Sequence, residues 1–390
     1  MRYSAKAAYH PKGKAMNWQY MQPVEIIFGC GKIDELCEIC SHRGYEKGVL
    51  VCDPFFVQNG LSEKVVSASR NRITAIFSDV TANPRTSEAD ACATLMRETG
   101  ADFAIALGGG SAMDCAKAAC MLATDNLSAS AYHTGGTPIS GKSIPLIAVP
   151  TTAGTGSEVT GVAVLTDEKK GVKAPIGHPC LFPKIALIDP ELTVSMPPFV
   201  TAVSGLDALS HALEGFWSRG HQPICDAIAL EAARTIFEYL PRTFSDGTDL
   251  EAREKMCEAS LMAGLSFALP KTAASHAISF PLTNVYGLPH GEACAFTLDS
   301  LCTINAEAEN GRLNDFARKL GFENAAEMGG RISQMKREMG LRCTLTEAGI
   351  PFEALSELAK LSKHPNLDNN PVALDEQALI SLFAGKADAK

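Results

Sequence analysis

The sequence predicts an α/β domain with a parallel sheet over residues 18–198, followed by an all-helical domain over residues 199–390. Short apolar, β-branched runs recur through the first half, and most are apolar on both faces, as in a buried parallel sheet. Helical periodicity separates these runs and then dominates the second half, where β-branched runs almost vanish. The prolines at 197–198 mark the boundary, and residues 1–17, which are small, polar and basic, form a predicted arm.

The individual elements follow from these patterns. Most of the predicted strands end in or just before Asp, Gly or Pro, and they cover residues 48–53, 73–77, 103–107, 146–149 and 185–188. Apolar residues at helical spacing predict helices between the strands and throughout the second half. These helices cover residues 87–99, 112–124, 202–219, 223–239, 250–267, 306–320, 325–339 and 375–384.

Length, charge and cysteine content limit the class of protein. A chain of 390 residues with a net charge of −9 lacks the basic balance of a nucleic-acid binder. Neither a signal peptide nor an uninterrupted apolar run of membrane-spanning length is visible, which predicts no membrane association. Thirteen scattered cysteines, an odd number, indicate reduced thiols and a cytoplasmic protein rather than a disulfide framework.

A glycine-rich segment, LGGGSAMDCAK at 107–117, follows a predicted strand and opens a predicted helix. Its three glycines allow close approach of a ligand to the backbone. The amides of Ser111 and Ala112 then lie at a helix N-terminus, where the dipole and the N–H groups attract a pyrophosphate. The alternative interpretation is a tight strand-to-helix turn.

Two further segments favour the nucleotide interpretation. Asp53 ends a predicted strand, where a carboxylate accepts hydrogen bonds from a ribose diol and repels a 2′-phosphate, which favours NAD over NADP. The segment PTTAGTGSEVT at 150–160 places five hydroxyls and two glycines directly after another strand. The alternatives are an ordinary cap aspartate and a hydroxyl-rich surface turn.

A set of metal-ligating side chains occupies the second half. Asp207 and His211 are four residues apart in a strong helical pattern, so both project from one face. His276 and His290 lie in apolar or Gly/Pro contexts, and Pro289 and Gly291 predict a rigid loop around His290. One aspartate and three histidines suit Fe²⁺ or Zn²⁺ with a position left for a substrate oxygen. Taken alone, the Asp/His pair has the alternative of a hydrogen-bonded structural pair.

Taken together, the segments resemble the iron-containing (group III) alcohol dehydrogenases over nearly the whole chain. The resemblance rests on the joint occurrence, in this order, of FGCG at 28–31, GGGS at 108–111, PTTAGTGSE at 150–158, GLDALSHALE at 205–214 and PHG at 289–291. It implies a dehydroquinate synthase-like fold, with an α/β dinucleotide-binding domain, an all-helical domain and an active site in the cleft between them. It also implies an NAD(H)-dependent alcohol dehydrogenase with one divalent metal, Fe²⁺ before Zn²⁺ or Mn²⁺, and a homodimer or larger assembly.

The resemblance also assigns residues. The implied metal ligands are Asp207, His211, His276 and His290, and Phe267 lies where the family often places a substrate-pocket side chain. Where many members carry a second histidine, four residues after the third ligand, this sequence has Phe280, so another group must replace it. The implied cofactor contacts are Asp53, Gly109, Gly110, Ser111, Asp114, Thr151, Thr152, Thr155, Ser157 and Lys173.

The segments 271–283 and 288–295 resemble the branch of the family that reduces phosphonoacetaldehyde to hydroxyethylphosphonate, and sulfoacetaldehyde reduction to isethionate is chemically close. Both substrates are two-carbon aldehydes with an anionic head. The candidate donors to that head are Lys271, Thr272, Ser275 and Arg219, with solvent-facing loop residues as the alternative. The remaining alternatives are a generalist dehydrogenase of short alcohols or diols, and a catalytically dead nucleotide-binding scaffold.

Overall fold

The computed structural model describes residues 17–387. The predicted arm, residues 1–17, therefore lies outside the described residues except for Asn17. The described chain divides into two compact units, one of residues 22–196 and one of residues 197–387 together with 17–21. The domain bounds predicted from the sequence, 18–198 and 199–390, remain a prediction.

The first unit contains a six-stranded parallel sheet and a two-stranded antiparallel ribbon. The strands are β1 (Glu25–Phe28), β2 (Gly48–Cys52), β3 (Ile73–Phe77), β4 (Phe103–Gly108), β5 (Leu146–Pro150), β6 (Val162–Asp167), β7 (Val172–Gly177) and β8 (Ile185–Ile188). In the sheet the order is β1-β8-β5-β4-β2-β3, and β6 pairs with β7 in the ribbon. All residues of β2, β4, β5 and β8 are buried, as the runs apolar on both faces predict.

The strand order places a switch point beside β2. The chain runs from β2 outward to β3 on one side and then returns to β4 on the other side of β2. In open parallel sheets, ligands bind beyond the carboxyl ends of the strands at such a point. The segments that follow β2 and β4 are therefore the ones that the topology favours for binding.

The helices of the first unit are α1 (Leu36–Arg43), α2 (Pro54–Gln58), α3 (Leu61–Ala68), α4 (Thr86–Thr99), α5 (Gly110–Leu122) and α6 (Ala129–Tyr132). The second unit is helical. Its helices are α7 (Pro198–Trp217), α8 (Pro223–Ser245), α9 (Leu250–Phe267), α10 (Ala274–Asn284), α11 (His290–Ile304), α12 (Arg312–Lys319), α13 (Ala325–Glu338), α14 (Leu355–Leu361) and α15 (Glu376–Ala384).

The central helix of the second unit is α7, which is buried from Gly205 through Trp217 without a break. It packs on α8, α9, α10 and α11. A helix that is apolar nearly all round belongs in a core, and the polar side chains that it carries must therefore find partners there.

The fold class predicted from the sequence, a parallel α/β domain followed by a helical domain, is confirmed. All five predicted strands are present, whereas β1 and the ribbon β6–β7 were not predicted. The predicted helix 306–320 is shorter, beginning at Arg312. Helices α10, α11 and α14 of the second unit, like α2, α3 and α6 of the first, lie outside the predicted helices. Helix α10 was not predicted because it contains Pro281, and a proline within a periodic pattern usually indicates the end of a helix. None of the helices described between residues 17 and 387 is long and apolar enough to span a membrane.

Candidate functional site

The glycine-rich segment begins directly at the end of β4. Gly109 is the N-cap of α5, so Gly110 and Ser111 are the first residues of that helix. The backbone N–H of Thr151 donates to the carbonyl of Gly108 at 3.0 Å, which ties the loop after β5 to the loop after β4. The helix N-terminus that the sequence predicts as a pyrophosphate site is therefore present.

The two loops lie in direct contact, and glycine is what allows it. A Cβ atom on Gly109 would lie 3.2 Å from Oγ1 of Thr152, and one on Gly110 would lie 2.9 Å from Cγ2 of Thr155. A larger residue at Gly110 would force Thr155 to move. The sequence predicted contact of these four residues with the cofactor; the structure brings them against one another.

A buried polar network fixes these loops from beneath. Ser157 Oγ donates to Asp114 Oδ1 at 2.7 Å, and Lys117 Nζ donates to Ser157 Oγ at 2.6 Å. Lys117 Nζ also donates to the Val162 carbonyl at 2.9 Å. Burial lowers the pKa of Lys117 to about 8, against the opposing effect of Asp114. Asp114 and Ser157, both predicted as cofactor-binding, are thus engaged in holding the loop.

The other two predicted cofactor residues have local partners. Asp53 is the N-cap of α2, and its Oδ1 accepts from the N–H of Phe55 at 2.8 Å. Burial raises the pKa of Asp53, opposed by the hydrogen bonds from the backbone of α2. Asp53 therefore caps α2, which is the alternative role given for it above. It does so at the strand end where a ribose contact is also predicted. Lys173 lies on β7 and donates to Oδ1 of Asn83 at 2.6 Å.

In the helical unit, one face of α7 carries three ionisable side chains. Asp207, His211 and Glu214 are spaced by four and three residues, so they lie one above another on that face. All three are buried, and Glu214 has no exposed surface. Buried ionisable groups require hydrogen bonds or ion partners, and the neighbouring helices supply them.

The neighbouring helices α10 and α11 bring two more histidines to this face. His276 is the third residue of α10. His290, expected in a loop, is instead the first residue of α11, and Pro289 is its N-cap. A Cβ on Gly291 would lie 2.0 Å from the carbonyl oxygen of Val203, so the start of α11 contacts the backbone of α7. Glycine at 291 is what lets His290 approach the α7 face.

These side chains converge on one point. Nε2 of His276 lies 3.0 Å from Nε2 of His211 and 3.7 Å from Oδ1 of Asp207. His211 Nδ1 lies 4.0 Å from Asp207 Oδ2, and the rings of His276 and His290 are 5.5 Å apart. Potential ligand atoms of four residues all lie within 4.8 Å of one another, and these residues are Asp207, His276, His290 and Cys294.

Glu214 orients His276. Its Oε2 lies 2.5 Å from Nδ1 of His276, and its Oε1 accepts from the N–H of Ser275 at 2.6 Å. A carboxylate on Nδ1 places the proton there and leaves the Nε2 lone pair directed at the convergence point, as it is in carboxylate–histidine–metal arrangements. Sequence analysis missed Glu214, although its spacing from Asp207 and His211 could have revealed it.

The donor set fits a divalent cation. It combines imidazole nitrogens and a carboxylate oxygen, which suit Fe²⁺ or Zn²⁺, in a buried location with one imidazole already held in the ligating tautomer. The structure brings the four residues predicted as ligands together. His211 contacts His276, and Asp207, His276 and His290 belong to the group of potential ligand atoms that lie within 4.8 Å of one another. The sequence did not predict Cys294 in this cluster.

Two aromatic residues flank the cluster. The ring of Phe267, the last residue of α9, stacks on His211 with centroids 4.1 Å apart. Phe280 lies one turn after His276 on α10, and its ring is 4.7 Å from that of His364. Burial lowers the pKa of His364, opposed by its hydrogen bond with Asn366. A histidine therefore contacts Phe280 from another segment of the chain.

The four candidate donors to an anionic head differ in their environment. Ser275 is buried and its Oγ donates to the carbonyl of Cys294 at 2.8 Å, while Arg219 Nε donates to the carbonyl of Asn370 at 3.0 Å. Lys271 and Thr272 lie in the turn between α9 and α10. The backbone N–H of Lys271 donates to the carbonyl of Phe267 at 2.7 Å, so Lys271 is one turn away from the ring that stacks on His211.

An α/β unit with a glycine-rich loop and a helical unit with a buried imidazole–carboxylate cluster are typical of a metal-dependent dehydrogenase. The profile of iron-containing alcohol dehydrogenases matches residues 23–190, and the C-terminal profile of the Fe-containing alcohol dehydrogenase family matches residues 201–386. The chain belongs to the iron-containing alcohol dehydrogenase family.

Individual relatives cover nearly the whole chain. The crystal structure of sulfoacetaldehyde reductase from Bifidobacterium kashiwanohense in complex with NAD⁺ is 46% identical, with a TM-score of 0.94 over 96% of this chain and 100% of that one. Choline dehydrogenase of Bacillus subtilis is 34% identical over 91% of this chain and 92% of its own length. The NAD-dependent methanol dehydrogenase of Bacillus methanolicus is 33% identical over 87% of this chain and 92% of its own length.

These similarities confirm the predicted family and the predicted enzyme class, an alcohol dehydrogenase. The predicted cofactors, NAD(H) and one divalent metal ion, are also confirmed, since the family is iron-containing and its relatives include NAD-dependent and NAD⁺-bound enzymes. A small alcohol or aldehyde as substrate agrees with the family. The predicted homo-oligomer and cytoplasmic location stay predictions, as do the roles of the individual site residues.

Proposed function

We propose that this alcohol dehydrogenase is an NADH-linked reductase of a short aldehyde with an anionic head, either sulfoacetaldehyde or phosphonoacetaldehyde. The observation that carries the proposal is the 46% identity with a sulfoacetaldehyde reductase across nearly the full length of both chains. The other two relatives described above, whose names refer to choline and methanol, are 33–34% identical.

The proposed metal ligands are Asp207, His211, His276 and His290. A cation held by these four residues would supply Lewis-acid chemistry at the substrate oxygen, and NADH held by the α/β unit would supply the hydride. Glu214 keeps His276 in the ligating tautomer, and Phe267 restricts the orientation of His211 by stacking on it. The proposed cofactor contacts are Asp53, Gly109, Gly110, Ser111, Asp114, Thr151, Thr152, Thr155, Ser157 and Lys173, with the amides at the start of α5 binding the pyrophosphate.

Lys271 is the proposed anchor of the anionic head. The residue is exposed at the surface, yet partial desolvation of its ammonium group lowers the pKa of Lys271, and a bound sulfonate or phosphonate would supply a counter-charge. The Nζ of Lys271 donates to the carbonyl of Ala268 at 2.8 Å, just as Ser275 and Arg219 donate to backbone carbonyls, but of these three residues only Lys271 is exposed to solvent. Lys271 is one turn from Phe267, whose ring stacks on His211.

The backbone around Lys271 is firmly held. Asn369 Nδ2 donates to the carbonyls of Pro270, Lys271 and Thr272 at 2.9, 3.3 and 3.0 Å. Lys271 itself has a φ of 71°, in the left-handed region, which a non-glycine residue adopts only where its surroundings require it. A constrained backbone that presents a cation is typical of a binding residue, because little entropy is lost when the ligand binds.

The experiment compares kcat/KM of the metal-loaded enzyme for sulfoacetaldehyde, phosphonoacetaldehyde, glycolaldehyde, propanal and butanal. We expect a preference for an anionic aldehyde over propanal of about 100-fold, which corresponds to about 2.7 kcal/mol of transition-state stabilisation. Lys271→Met should lower kcat/KM for the anionic aldehyde by about the same factor and leave propanal within about threefold. Lys271→Arg should restore part of the preference, and Lys360→Met, an exposed lysine on α14, serves as the control.

A flat profile across the five aldehydes would reject the anionic substrate and favour a generalist dehydrogenase of short alcohols. An anionic preference that survives Lys271→Met would keep the substrate class and reject Lys271 as its anchor. Loss of all activity and of bound metal in His276→Ala is the expected result of the proposed metal centre. Unchanged activity and metal content in that variant would reject His276 as a ligand.

A further inference from the structure

The segment that follows α14 forms a short 3₁₀ helix and packs along α10. His364, the N-cap residue of this short helix, lies against Phe280, with ring centroids 4.7 Å apart. Two residues further on, Nδ2 of Asn366 donates to Oγ1 of Thr272 at 2.8 Å. Thr272 comes four residues before His276 and Phe280 four residues after it. The segment therefore contacts α10 and its N-terminal turn on both sides of this proposed metal ligand.

Asn366 determines how the hydroxyl of Thr272 can be used. A threonine hydroxyl has one proton to donate, and its oxygen can accept a hydrogen bond at the same time. Because Oγ1 of Thr272 already accepts from Asn366, the hydroxyl proton is left for another acceptor. The side-chain amide of Asn366 also has a second N–H beside the one that it donates to Thr272.

The backbone of Asn366 acts on His364 in the same sense. Its N–H donates to Nδ1 of His364 at 3.2 Å, so that ring nitrogen is used as an acceptor. Burial lowers the pKa of His364, and the neutral ring then carries its single proton on Nε2. His364 is thus a third donor, and the same asparagine fixes both it and Thr272 in donating arrangements.

These three groups suit a ligand that is rich in acceptor oxygens. Thr272, His364 and Asn366 are each half-buried, and within residues 17–387 their remaining protons have no acceptor. Half-buried donors without an acceptor are costly unless a ligand or water satisfies them. A sulfonate or phosphonate head offers three oxygen atoms for these donors, and Lys271, next to Thr272, adds a positive charge.

We infer that Thr272, Asn366 and His364 bind the oxygen atoms of the anionic head and are specificity-determining residues of this dehydrogenase. The inference rests on the proposed function, because it requires a substrate with such a head. The alkyl end of propanal or butanal has no acceptor for the three donors, so an alkyl aldehyde leaves them unsatisfied. The three residues therefore discriminate between anionic and neutral aldehydes.

The first test measures kcat/KM of the full-length, metal-loaded enzyme for sulfoacetaldehyde, phosphonoacetaldehyde and propanal. Thr272→Val removes the hydroxyl and keeps the shape of the side chain. We expect kcat/KM for the preferred anionic aldehyde to fall by about 10- to 30-fold and that for propanal to stay within about threefold. Thr272→Ser, which keeps a hydroxyl, should restore most of the loss. Thr303→Val, which changes an exposed threonine on α11, is the control.

A binding measurement separates recognition of the head from the chemical step. Ethanesulfonate carries the anionic head but no aldehyde, and calorimetric titration of the enzyme–NADH complex gives its dissociation constant. Thr272→Val should raise this constant by about the same 10- to 30-fold factor. An unchanged dissociation constant would show that the hydroxyl does not contact the head.

The other two residues are tested by changes that alter their protons. Asn366→Asp replaces the donating amide with a charged acceptor, to which the neighbouring hydroxyl would then donate, so the loss for anionic aldehydes should reach about 100-fold. His364→Phe removes the Nε2 proton and keeps an aromatic ring, with an expected loss of about tenfold. His178→Phe is the matched control, because His178 also caps a 3₁₀ helix and its Nδ1 also accepts a backbone N–H.

The outcomes separate this inference from the proposed function. A flat profile of the wild type across the aldehydes would overturn the proposed function and the inference with it. An anionic preference that survives Thr272→Val, Asn366→Asp and His364→Phe would overturn the inference alone. Equal losses for anionic aldehydes and propanal would also overturn it, since they would reflect damage to the fold rather than lost contacts with the head.

Discussion

The glycine loop of the α/β unit and the histidine cluster of the helical unit use polar side chains in opposite ways. In the loop, Ser157 binds both Asp114 and Lys117, so the network stabilises the backbone that presents the amides at the start of α5. In the cluster, the Nε2 atoms of His211 and His276 lie 3.0 Å apart, while Glu214 contacts the other ring nitrogen of His276, Nδ1. A flexible polyphosphate is suited to the first arrangement, and a cation with strict ligand geometry is suited to the second.

A polar residue in a functional motif can therefore hold the backbone of the site in place, in addition to any contact that it makes with a ligand. Different consequences of substitution are expected in the two regions. Changes in the cluster should affect metal binding through the geometry of single atoms. Changes in the loop should affect cofactor binding or stability through the backbone.

The largest of these effects is expected for Glu214→Gln. The carboxylate accepts from Nδ1 of His276 and from the backbone of Ser275 and His276, whereas an amide offers only one acceptor oxygen. His276 should lose its fixed tautomer, and metal affinity should fall by about 10- to 100-fold. Competition with a chromophoric chelator measures this, with Glu258→Gln on α9 as the control. An unchanged affinity would mean that His276 is positioned without Glu214.

An intermediate effect is expected for Gly110→Ala in the loop. The added Cβ would lie 2.9 Å from Cγ2 of Thr155 and must displace it. We expect the dissociation constant of NADH to rise by about tenfold, or about 1.4 kcal/mol, with metal content unchanged. Fluorescence titration with NADH measures it. Gly330→Ala on α13, where a Cβ meets no atom within 4 Å, is the matched control. Equal NADH affinity in both variants would contradict close packing of the loop.

The smallest effect on ligand binding is expected for the buried lysine beneath the loop, whose substitution acts on the pH dependence of stability. The pKa of Lys117 is about 8 in the folded protein and 10.5 in its ordinary state. Between these values the unfolded chain binds more protons, so the free energy of unfolding should rise with pH relative to Lys117→Met. The slope of this difference should approach about 1 kcal/mol per pH unit and vanish below pH 8.

Urea unfolding of wild type and Lys117→Met at several pH values between 7 and 10.5 measures that slope. Lys64→Met, an exposed lysine on α3, corrects for the general effect of removing a lysine. A difference that stays constant across this range would show that burial does not perturb Lys117. These three variants together test whether the loop network is structural and the histidine cluster is ligand-binding.

Much of the fold could be predicted from local patterns. The interior strands β2, β4, β5 and β8 are apolar on both faces because both faces are covered. Their composition therefore predicts their interior position. The edge strand β1 and strand β7 of the ribbon escaped prediction because exposed residues break their apolar runs. Strand β6, in which half-buried and buried residues alternate, was not predicted either. Helix α10 escaped because Pro281 interrupts it.

The candidate site was predictable only in part. Asp207 and His211 lie on one helix at a spacing that brings them together, and three glycines before a helix indicate a close-approach loop. Glu214 and Cys294 escaped because their importance depends on which helices lie opposite them. Asp114 and Ser157 are predicted cofactor contacts, and the hydrogen bond between them, which joins residues 43 apart in the chain, becomes visible only in the fold.

The sequence alone therefore determined the class of fold, the family and the identity of the main candidate ligands, because periodicity and motif spacing are local properties of the chain. The tertiary structure decided which side chain orients His276, which loop residues hold one another and which cysteine joins the cluster. The contacts of His276 and of the cysteine depend on the packing of α7 against α10 and α11, where Gly291 allows close approach. The loop contacts depend on the packing of α5 against the segment that follows β5. Distances between segments far apart in sequence are set by packing and are not encoded in any single segment.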